Sequence, residues 1–570
     1  MSQKKIKAER RKEKIASPVF RPEKEIDNIK GVRQILKENW KFLLILLMGV
    51  VMVYFNSLWG DFVSDDYASI TQNPMVYKWA LGGDPTNIVA ITTNLLAVLF
   101  GIKSPIPFHL FSLGLYLLVI VSFFIFVYIM FGKNTAKISS IIFAIHPVHV
   151  ESVSWISGKP YLYVGLFQLL AYIGLVQYVY GRKKYLYFSI IFFILSFLSS
   201  RVHSLTFVFM VPLILFYLIY EKKNEVGKKL FWKSILIILA VIPVILLILW
   251  PSIKYRVDSV NFGYRGDGGI FYDPFFQYPT SIAKYLQLLW FPIDLTLYHT
   301  MYTFPVWLNW LILFSYLSLT IYTLFKDKDM FFCLAFILLA TAPTMAPVKV
   351  SWLVAERYIF LGSIGWCIFL VLLWEKYFFK YAFLKWSIIS LTTGLFAIKT
   401  ILRNIDWQTN HNLWVATVQV SPNSHNAWNN IGDDYDKLGD YENAIKGFTQ
   451  STVMKPNYAD AYHNRANIYF KTGYFDLARQ SYLTALSFNP KLVQTYISLV
   501  QIELTVGRLD AALDLANKVV EIDPNNFQVR YVRAVVLKEL NMLAEAKKEA
   551  EMSLRLKPDY DLAKNFLLSI

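Results

Sequence analysis

Seven polar residues stand near the ends of apolar runs, where their types and spacing could do chemistry. They are Asp65, Asp66, His146, His149, Glu151, Glu356 and Arg357. A carboxylate within hydrogen-bond reach of a hydroxyl can take its proton, and a cation can stabilise an oxygen that gains negative charge. Charged groups at a membrane boundary are costly unless they are paired or used, so these residues are candidates for a functional site.

Structural interpretations of the same residues stay open. Two adjacent aspartates in a loop are often solvated or cap a helix, and Glu356 and Arg357 could simply form an ion pair that anchors the chain at an interface. The His-x-x-His-x-Glu run at 146–151 is a weak metal site, because Pro147 interrupts the regular helix. We expect hydrogen bonding or substrate contact from the two histidines, with no metal and no other cofactor.

The elements that must position these residues are predicted to be membrane-spanning helices. Hydrophobic residues make up 55% of the 570-residue chain and charged residues 17%, whereas soluble proteins carry roughly 25% charged residues. Apolar runs near the length that a bilayer requires predict about eleven spans, at 42–58, 108–131, 138–156, 161–180, 185–199, 204–220, 231–250, 305–325, 330–347, 355–374 and 383–401. Residues 1–41 predict a disordered basic tail, and Cys333 and Cys367 lie in apolar runs, which argues against a disulfide framework.

The charge distribution predicts the orientation of these spans. The net charge of +17 comes entirely from residues 1–403, which carry 40 basic and 21 acidic residues. Lysine and arginine concentrate in alternate short gaps between the spans, which is the pattern of cytoplasmic loops. The positive charge therefore does not require nucleic-acid binding as an explanation. A cytoplasmic N-terminus and eleven spans place residues 404–570 outside the cytoplasm. Asp61, Asp84 and the seven candidate residues then fall on the same outer face.

Residues 404–570 contain an internal repeat. Prolines at 422, 456, 490, 524 and 558 are spaced by 34 residues, and Gly439, Gly473, Gly507 and Asn541 keep the same period. Glycine or asparagine tolerates the left-handed turn between paired helices, and alanines at 444, 478, 512 and 546 allow those helices to pack closely. This is the tetratricopeptide-repeat pattern, and it predicts four repeats of an α-solenoid that binds peptides or proteins.

Short motifs in the apolar part occur in a specific order. Asp61-Phe-Val-Ser-Asp65-Asp66-Tyr67 is followed by His146-Pro-Val-His149-Val-Glu151, then by Ala355-Glu356-Arg357-Tyr358, and finally by Asn404-Ile-Asp406-Trp407. Together with the repeats they resemble the transmembrane and tetratricopeptide-repeat O-mannosyltransferase family and its bacterial relatives. The resemblance covers about residues 40–570. It implies an all-α fold, with a polytopic class C glycosyltransferase-like domain at 42–403 followed by the repeat domain at 404–570.

The resemblance also implies a function and roles for the candidate residues. Such enzymes transfer a sugar from a polyprenyl-phosphate donor, and here the acceptor would be a serine or threonine hydroxyl of an exported protein. Asp65 would be the base and Asp66 would orient the site. His146, His149, Glu151, Glu356 and Arg357 would contact the donor or the acceptor. The sequence departs from the bacterial relatives at Gly158-Lys159-Pro160-Tyr161, which lacks their usual acidic residue.

Two other functions remain compatible with the sequence. The acceptor could be a lipid or a polysaccharide, or the protein could be a non-catalytic membrane scaffold whose repeats assemble envelope or export proteins. The enzyme requires Asp65, whereas the scaffold requires only the repeats. Partners in either case are the lipid membrane and an acceptor or client protein, with no nucleic acid, and the resemblance favours the inner membrane of a bacterium.

Overall fold

The computed structural model describes residues 30–73, 76, 87–222, 225–262, 274–302, 304–345, 352–378 and 381–570. All regular elements among these residues are helices. Those of the apolar part are α1 Val32–Tyr54, α2 Ile88–Phe100, α3 Ile106–Phe131, α4 Lys133–Ala144, α5 Val150–Ser154, α6 Lys159–Val179, α7 Tyr185–Ser199, α8 Arg201–Ser204, α9 Thr206–Lys222, α10 Glu225–Phe262, α11 Pro274–Trp290, α12 Val306–Lys326, α13 Lys328–Thr341, α14 Gly362–Tyr377 and α15 Ala382–Asp406. The predicted all-α fold is confirmed.

Seven stretches of helix among the described residues are long and apolar enough to cross a membrane. They lie at Val32–Trp59, Ile106–Phe131, Ile156–Val179, Arg201–Tyr220, Val306–Lys326, Lys328–Met345 and Ala382–Asp406. Two further apolar helices, Ile88–Phe100 and Tyr185–Ser199, are shorter. The chain is therefore an integral membrane protein by the length and composition of its helices, and the count of eleven spans stays a prediction.

Two predicted boundaries are wrong. The helix α1 begins at Val32, so residues 32–41 are helical rather than part of a disordered tail; residues 1–29 lie outside the described residues. The predicted span 138–156 is not one helix, because α4 ends at Ala144 and Pro147 starts a 3-10 turn that leads into α5. Pro147 has no N–H to donate to the preceding turn and stands at the start of the 3-10 turn, where this N–H is not needed. Proline does not always end a helix, because Pro212 and Pro279 lie inside α9 and α11.

The C-terminal helices pack in successive pairs. They are α16 Asn410–Val420, α17 His425–Lys437, α18 Tyr441–Met454, α19 Ala459–Lys471, α20 Phe475–Phe488, α21 Val493–Thr505, α22 Leu509–Ile522, α23 Phe527–Glu539, α24 Leu543–Leu556 and α25 Asp561–Leu568. The turn residues Gly439, Gly473, Gly507 and Asn541 have φ angles of 78°, 82°, 74° and 60°. The repeated alanines at 444, 478, 512 and 546 are fully buried. Both expectations from the 34-residue period are confirmed.

The segment that joins the last apolar helix to the repeats is docked rather than loose. Trp407 and Trp414 are 1% and 5% exposed, and the Trp407 ring stacks on Trp155 at 5.7 Å between centroids. The buried Asn404 side chain donates to the backbone carbonyl of Val53 at 3.0 Å and accepts from Ser154 Oγ at 2.9 Å. These contacts tie α1, α5 and α15 together, and they fix where the repeats begin relative to the candidate site.

Candidate active site

The two adjacent aspartates lie in a loop after α1 and point in different directions. Ser64 has a φ of 54°, which is uncommon for a residue with a side chain. Its backbone N–H donates to Asn410 Oδ1 at 2.9 Å, and the N–H of Asp61 donates to the carbonyl of Gln408 at 2.7 Å. The loop is therefore fixed by the segment that precedes the repeats. Asp65 is exposed, whereas Asp66 is completely buried.

Asp66 organises the site from within the protein. Its carboxylate accepts from the N–H of Val63 at 3.1 Å, from the N–H of Ser157 at 2.8 Å and from the Ser157 hydroxyl. Burial raises the pKa of Asp66 to about 6, although these hydrogen bonds and the nearby Lys159 charge oppose the increase. A buried group whose oxygens are already used by the protein is suited to hold the loop, as predicted for Asp66, rather than to accept a proton from a substrate.

Asp65 has the opposite surroundings. Its side chain is accessible from outside the protein. Partial removal of water by the surrounding protein raises the pKa of Asp65, and the positive charge of Arg357 opposes this change. The sequence places these two residues 292 positions apart in the chain, and the fold brings them close enough to interact electrostatically. An accessible carboxylate beside a guanidinium can take a proton while the cation attracts an anion.

Arg357 is held by Glu151. The fully buried Glu151 carboxylate accepts from the backbone N–H of Arg357 at 2.7 Å and from the Arg357 guanidinium. The guanidinium also lies over the rings of Trp155 and Tyr358, at 5.5 and 4.9 Å from their centroids. The Arg357 side chain keeps 11% of its surface exposed. The arginine is therefore fixed in position and keeps a small exposed fraction, while Glu151 itself does not reach the surface.

Glu356 belongs to a second buried cluster behind Arg357. Its Oε1 atom accepts from Arg403 Nη2 at 3.1 Å and lies 3.8 Å from His299 Nε2. Arg403 also donates to Asp406 at 2.9 Å. Burial, followed by the charges of Lys284, Arg403 and Arg357, lowers the pKa of His299, so this contact involves a neutral imidazole. Glu356 and Arg403 thus position the segment that carries Arg357.

Sequence reasoning missed His299 and Arg403. Arg403 offered a signal, since it is a basic residue at the end of a predicted span and directly precedes the Asn404-Ile-Asp406-Trp407 motif. A buried arginine requires a carboxylate partner, and here that partner is Glu356, which was predicted from the sequence to contact the donor or the acceptor. His299 offered no comparable signal, because it stands in a long loop between α11 and α12.

His146 and His149 are fully buried and contact protein groups. His146 Nε2 lies 3.1 Å from the carbonyl of Leu289, and its Nδ1 accepts from the N–H of Val148. His149 Nδ1 lies 2.7 Å from the hydroxyl of Tyr116, and its Nε2 lies 2.8 Å from Ser363 Oγ. All four ring nitrogens are thus occupied, which favours the structural alternative. Substrate contact by these histidines stays a prediction.

Two further acidic residues, Asp61 and Asp84, were predicted on the same face as the site. Asp84 lies outside the described residues. Asp61 is exposed in the same loop as Asp65. Within the described ranges, no three residues among histidine, cysteine, aspartate and glutamate group closely enough to hold a metal ion. Asp65, Asp66, Glu151 and Arg357 meet around the loop 60–67, and Glu356 lies behind them.

The raised pKa of Asp66 predicts how stability depends on pH. The folded protein holds the Asp66 proton up to about pH 6, whereas an unfolded chain releases it near 3.8. Stability from this group is therefore present at low pH and lost as pH rises from about 4 to 6, by at most about 3 kcal/mol. Asp66→Asn should flatten this part of the profile, measured as thermal unfolding of the detergent-solubilised protein at several pH values. Identical profiles for both proteins would contradict the buried, protonatable state of Asp66.

The fold and this site define a class of protein. It is a polytopic helical membrane protein whose tetratricopeptide repeats lie next to a site formed by a carboxylate and an arginine. Models for "TPR repeat" and "Tetratricopeptide repeat" match residues 432–473 and 459–492. Among solved structures, the crystal structure of MamA matches with a TM-score of 0.25 and 18% identity, and the match covers 28% of this chain and 94% of MamA.

Comparison with curated proteins indicates a particular relationship. The chain is 23% identical over 472 residues to protein O-mannosyl-transferase TMTC3 of Mus musculus, covering 73% of this chain and 51% of that protein. It is 24% identical over 484 residues to protein O-mannosyl-transferase F38B6.6 of Caenorhabditis elegans, covering 75% of this chain and 65% of that protein. The chain thus spans about half the length of the mouse relative. These similarities confirm the resemblance to the transmembrane and tetratricopeptide-repeat O-mannosyltransferase family.

Proposed function

We propose that the protein is a glycosyltransferase that moves a sugar, with mannose as the first candidate, from a polyprenyl-phosphate donor to serine or threonine hydroxyls of proteins. The observation that carries this proposal is that an accessible carboxylate, Asp65, lies within electrostatic range of Arg357, whose guanidinium is fixed by Glu151 and whose side chain is 11% exposed. The similarity to protein O-mannosyl-transferases supports the choice of sugar and acceptor.

The proposed reaction needs one base and one anion stabiliser. The acceptor hydroxyl oxygen attacks the anomeric carbon, and Asp65 takes the hydroxyl proton as the new glycosidic bond forms. The bond between the anomeric carbon and the phosphate oxygen breaks, and its electron pair leaves with the lipid phosphate. Arg357 stabilises the charge that gathers on this oxygen. Attack opposite the leaving phosphate inverts the anomeric configuration, and no metal is needed for this balance.

The remaining residues of the site position these two groups. Asp66 and Ser157 hold the loop that carries Asp65, and Glu151 fixes the arginine at two points, its backbone N–H and its guanidinium. Pre-organised groups need little rearrangement when charge develops, which is how such electrostatic catalysis lowers a barrier. Binding of the donor or acceptor by His146, His149 and Glu356 remains part of the proposal, but their buried contacts favour a supporting role.

The direct test uses the purified protein in lipid nanodiscs. Polyprenyl phosphates carrying different radiolabelled sugars are each added with a serine- and threonine-containing polypeptide. We expect the mannose donor to give labelled polypeptide together with an equal amount of free lipid phosphate. Release of lipid phosphate only when a lipid or polysaccharide acceptor is present would favour that alternative acceptor. No release from any donor would overturn the enzymatic proposal and favour the scaffold.

The proposed orientation places the site and the repeats outside the cytoplasm, with a cytoplasmic N-terminus. The two native cysteines are buried, so introduced cysteines report on single positions. In intact cells, or in spheroplasts if an outer membrane blocks access, a membrane-impermeant thiol reagent should label Ala68→Cys and Asn525→Cys. It should label Lys183→Cys only after permeabilisation. All three positions are exposed in the structure. Labelling of Ala68→Cys without Asn525→Cys, or the reverse, would contradict the single-face arrangement.

A further inference from the structure

Side-chain amides lie next to each other on the first helices of the first two repeats. Asn429 on α17 and Asn464 on α19 are about one repeat apart, and Asn464 Nδ2 donates to Asn429 Oδ1 at 3.0 Å. An amide side chain has two donor hydrogens and one acceptor oxygen. The Nδ2 of Asn429 and the Oδ1 of Asn464 carry no hydrogen bond to any described residue. This pair therefore presents one donor and one acceptor, which matches the C=O and N–H of a peptide backbone.

Further polar side chains on α19, α20 and α21 hydrogen-bond to each other. His463 Nδ1 lies 2.9 Å from Thr495 Oγ1, and His463 Nε2 lies 3.2 Å from Asn467 Nδ2. The Tyr482 hydroxyl donates to Asn467 Oδ1 at 2.5 Å. The polar row thus continues from the first repeat to α21 of the third. Side chains that are already fixed lose little conformational entropy when they bind a ligand.

Charged groups on the same helices neutralise each other. Lys471 Nζ lies 2.6 Å from Asp436 Oδ2, and Lys437 Nζ lies 2.6 Å from Asp433 Oδ2. With Asp434, Asp460 and Arg465 included, these two helices carry a net charge of only −1, which gives little preference for an acidic or a basic motif. Recognition of backbone rather than side chains is the chemistry that these residues favour.

The first repeat also contacts both loops of the candidate active site. Asn430 Nδ2 donates to the Tyr298 hydroxyl at 3.2 Å, next to His299, which contacts Glu356. At the other end of α17, Lys437 Nζ lies 5.7 Å from the centre of the Tyr67 ring, two residues beyond Asp65. Eight residues of helix from Asn429 to Lys437 span about 12 Å. An extended peptide covers such a distance with about four residues, at about 3.3 Å per residue.

We propose that the acceptor binds as an extended, unfolded polypeptide segment whose backbone is held by Asn429 and Asn464, with the reacting hydroxyl placed at Asp65 about four to eight residues away. The inference rests on the proposed function, because it names the acceptor of that reaction. It excludes a folded surface as the binding epitope, since backbone groups inside a folded domain are already hydrogen-bonded. It also makes recognition tolerant of sequence.

The test measures binding separately from transfer. A fluorescent, uncharged peptide of about 16 residues containing serine and threonine is titrated with the full-length protein in nanodiscs, without donor, and followed by anisotropy. We expect a scrambled peptide to bind within about threefold of the original. We expect a peptide with N-methylated backbone at alternate residues to bind at least tenfold more weakly, because N-methylation removes donors and leaves side chains unchanged. Equal binding of the N-methylated peptide would overturn the proposal.

Variants locate the binding site. Asn464→Ala should weaken peptide binding by about three- to tenfold, the effect of one or two hydrogen bonds. Asn525→Ala changes an exposed asparagine in the turn before the fourth repeat and should bind like the parent protein. Thermal unfolding of each variant shows whether the repeats remain folded. Peptide binding that survives Asn464→Ala unchanged would refute the assigned surface even if transfer occurs. Normal binding without any transfer would instead refute the proposed function and leave this inference standing.

Discussion

Replacing Asp65 by asparagine is expected to slow sugar transfer by about 10²–10⁴-fold, the usual cost of losing a general base. Asparagine keeps the size and the polarity of the side chain but cannot take the proton of the acceptor hydroxyl. Because Asp65 is exposed and makes none of the hydrogen bonds that hold the loop, stability should change little. The measurement is the rate of labelled polypeptide formation at saturating donor, with donor affinity measured separately.

The neighbouring aspartate provides the matched comparison. Val63 and Ser157 donate their N–H groups to different oxygens of Asp66, so Asp66→Asn keeps the acceptor of only one of them. Because the Asp66 side chain is buried, this variant should still reduce the rate less than Asp65→Asn does. The parent enzyme should also lose activity as pH falls through the raised pKa of Asp65, since the base must be unprotonated. An Asp65→Asn protein with the full rate would remove Asp65 from the mechanism, and a larger loss in Asp66→Asn would exchange their roles.

Removing the guanidinium with Arg357→Ala should have two effects of different origin. The donor loses a charge-assisted contact, and we expect its binding to weaken by about 10- to 150-fold. Glu151 is left fully buried without its cation, which typically costs about 3–5 kcal/mol of stability. Donor affinity by titration and thermal unfolding in detergent measure the two effects independently.

A double variant separates these effects. Glu151→Gln together with Arg357→Ala removes the unpaired buried charge and should recover much of the lost stability, while donor binding stays weak. Recovery of donor binding in the double variant would mean that Arg357 only maintains the fold. Unchanged donor affinity in the single variant would show that the phosphate binds elsewhere.

The repeats illustrate what local sequence determines. The 34-residue period places a glycine or asparagine at each turn and an alanine at each helix crossing, and the structure has positive φ angles and buried alanines at those positions. Each repeat contacts mainly its neighbours, so short-range spacing is sufficient to predict the architecture. The positions of the apolar helices can similarly be predicted from hydropathy. Hydropathy alone does not predict that one span is divided at Pro147, because backbone hydrogen bonding sets where a helix ends.

The sequence by itself predicted which residues were candidates for the site and that they would lie on one face of the membrane, which stays a prediction. Only the tertiary structure decided what surrounds each of them. Asp65 and Asp66 are chemically identical neighbours, but the turn at Ser64 and the hydrogen bonds from Ser157 expose one and bury the other. His299 and Arg403 join Glu356 from distant parts of the chain. Burial and charge pairing depend on contacts between residues that are 47 to 206 positions apart in the chain, and such contacts leave no local pattern in the sequence.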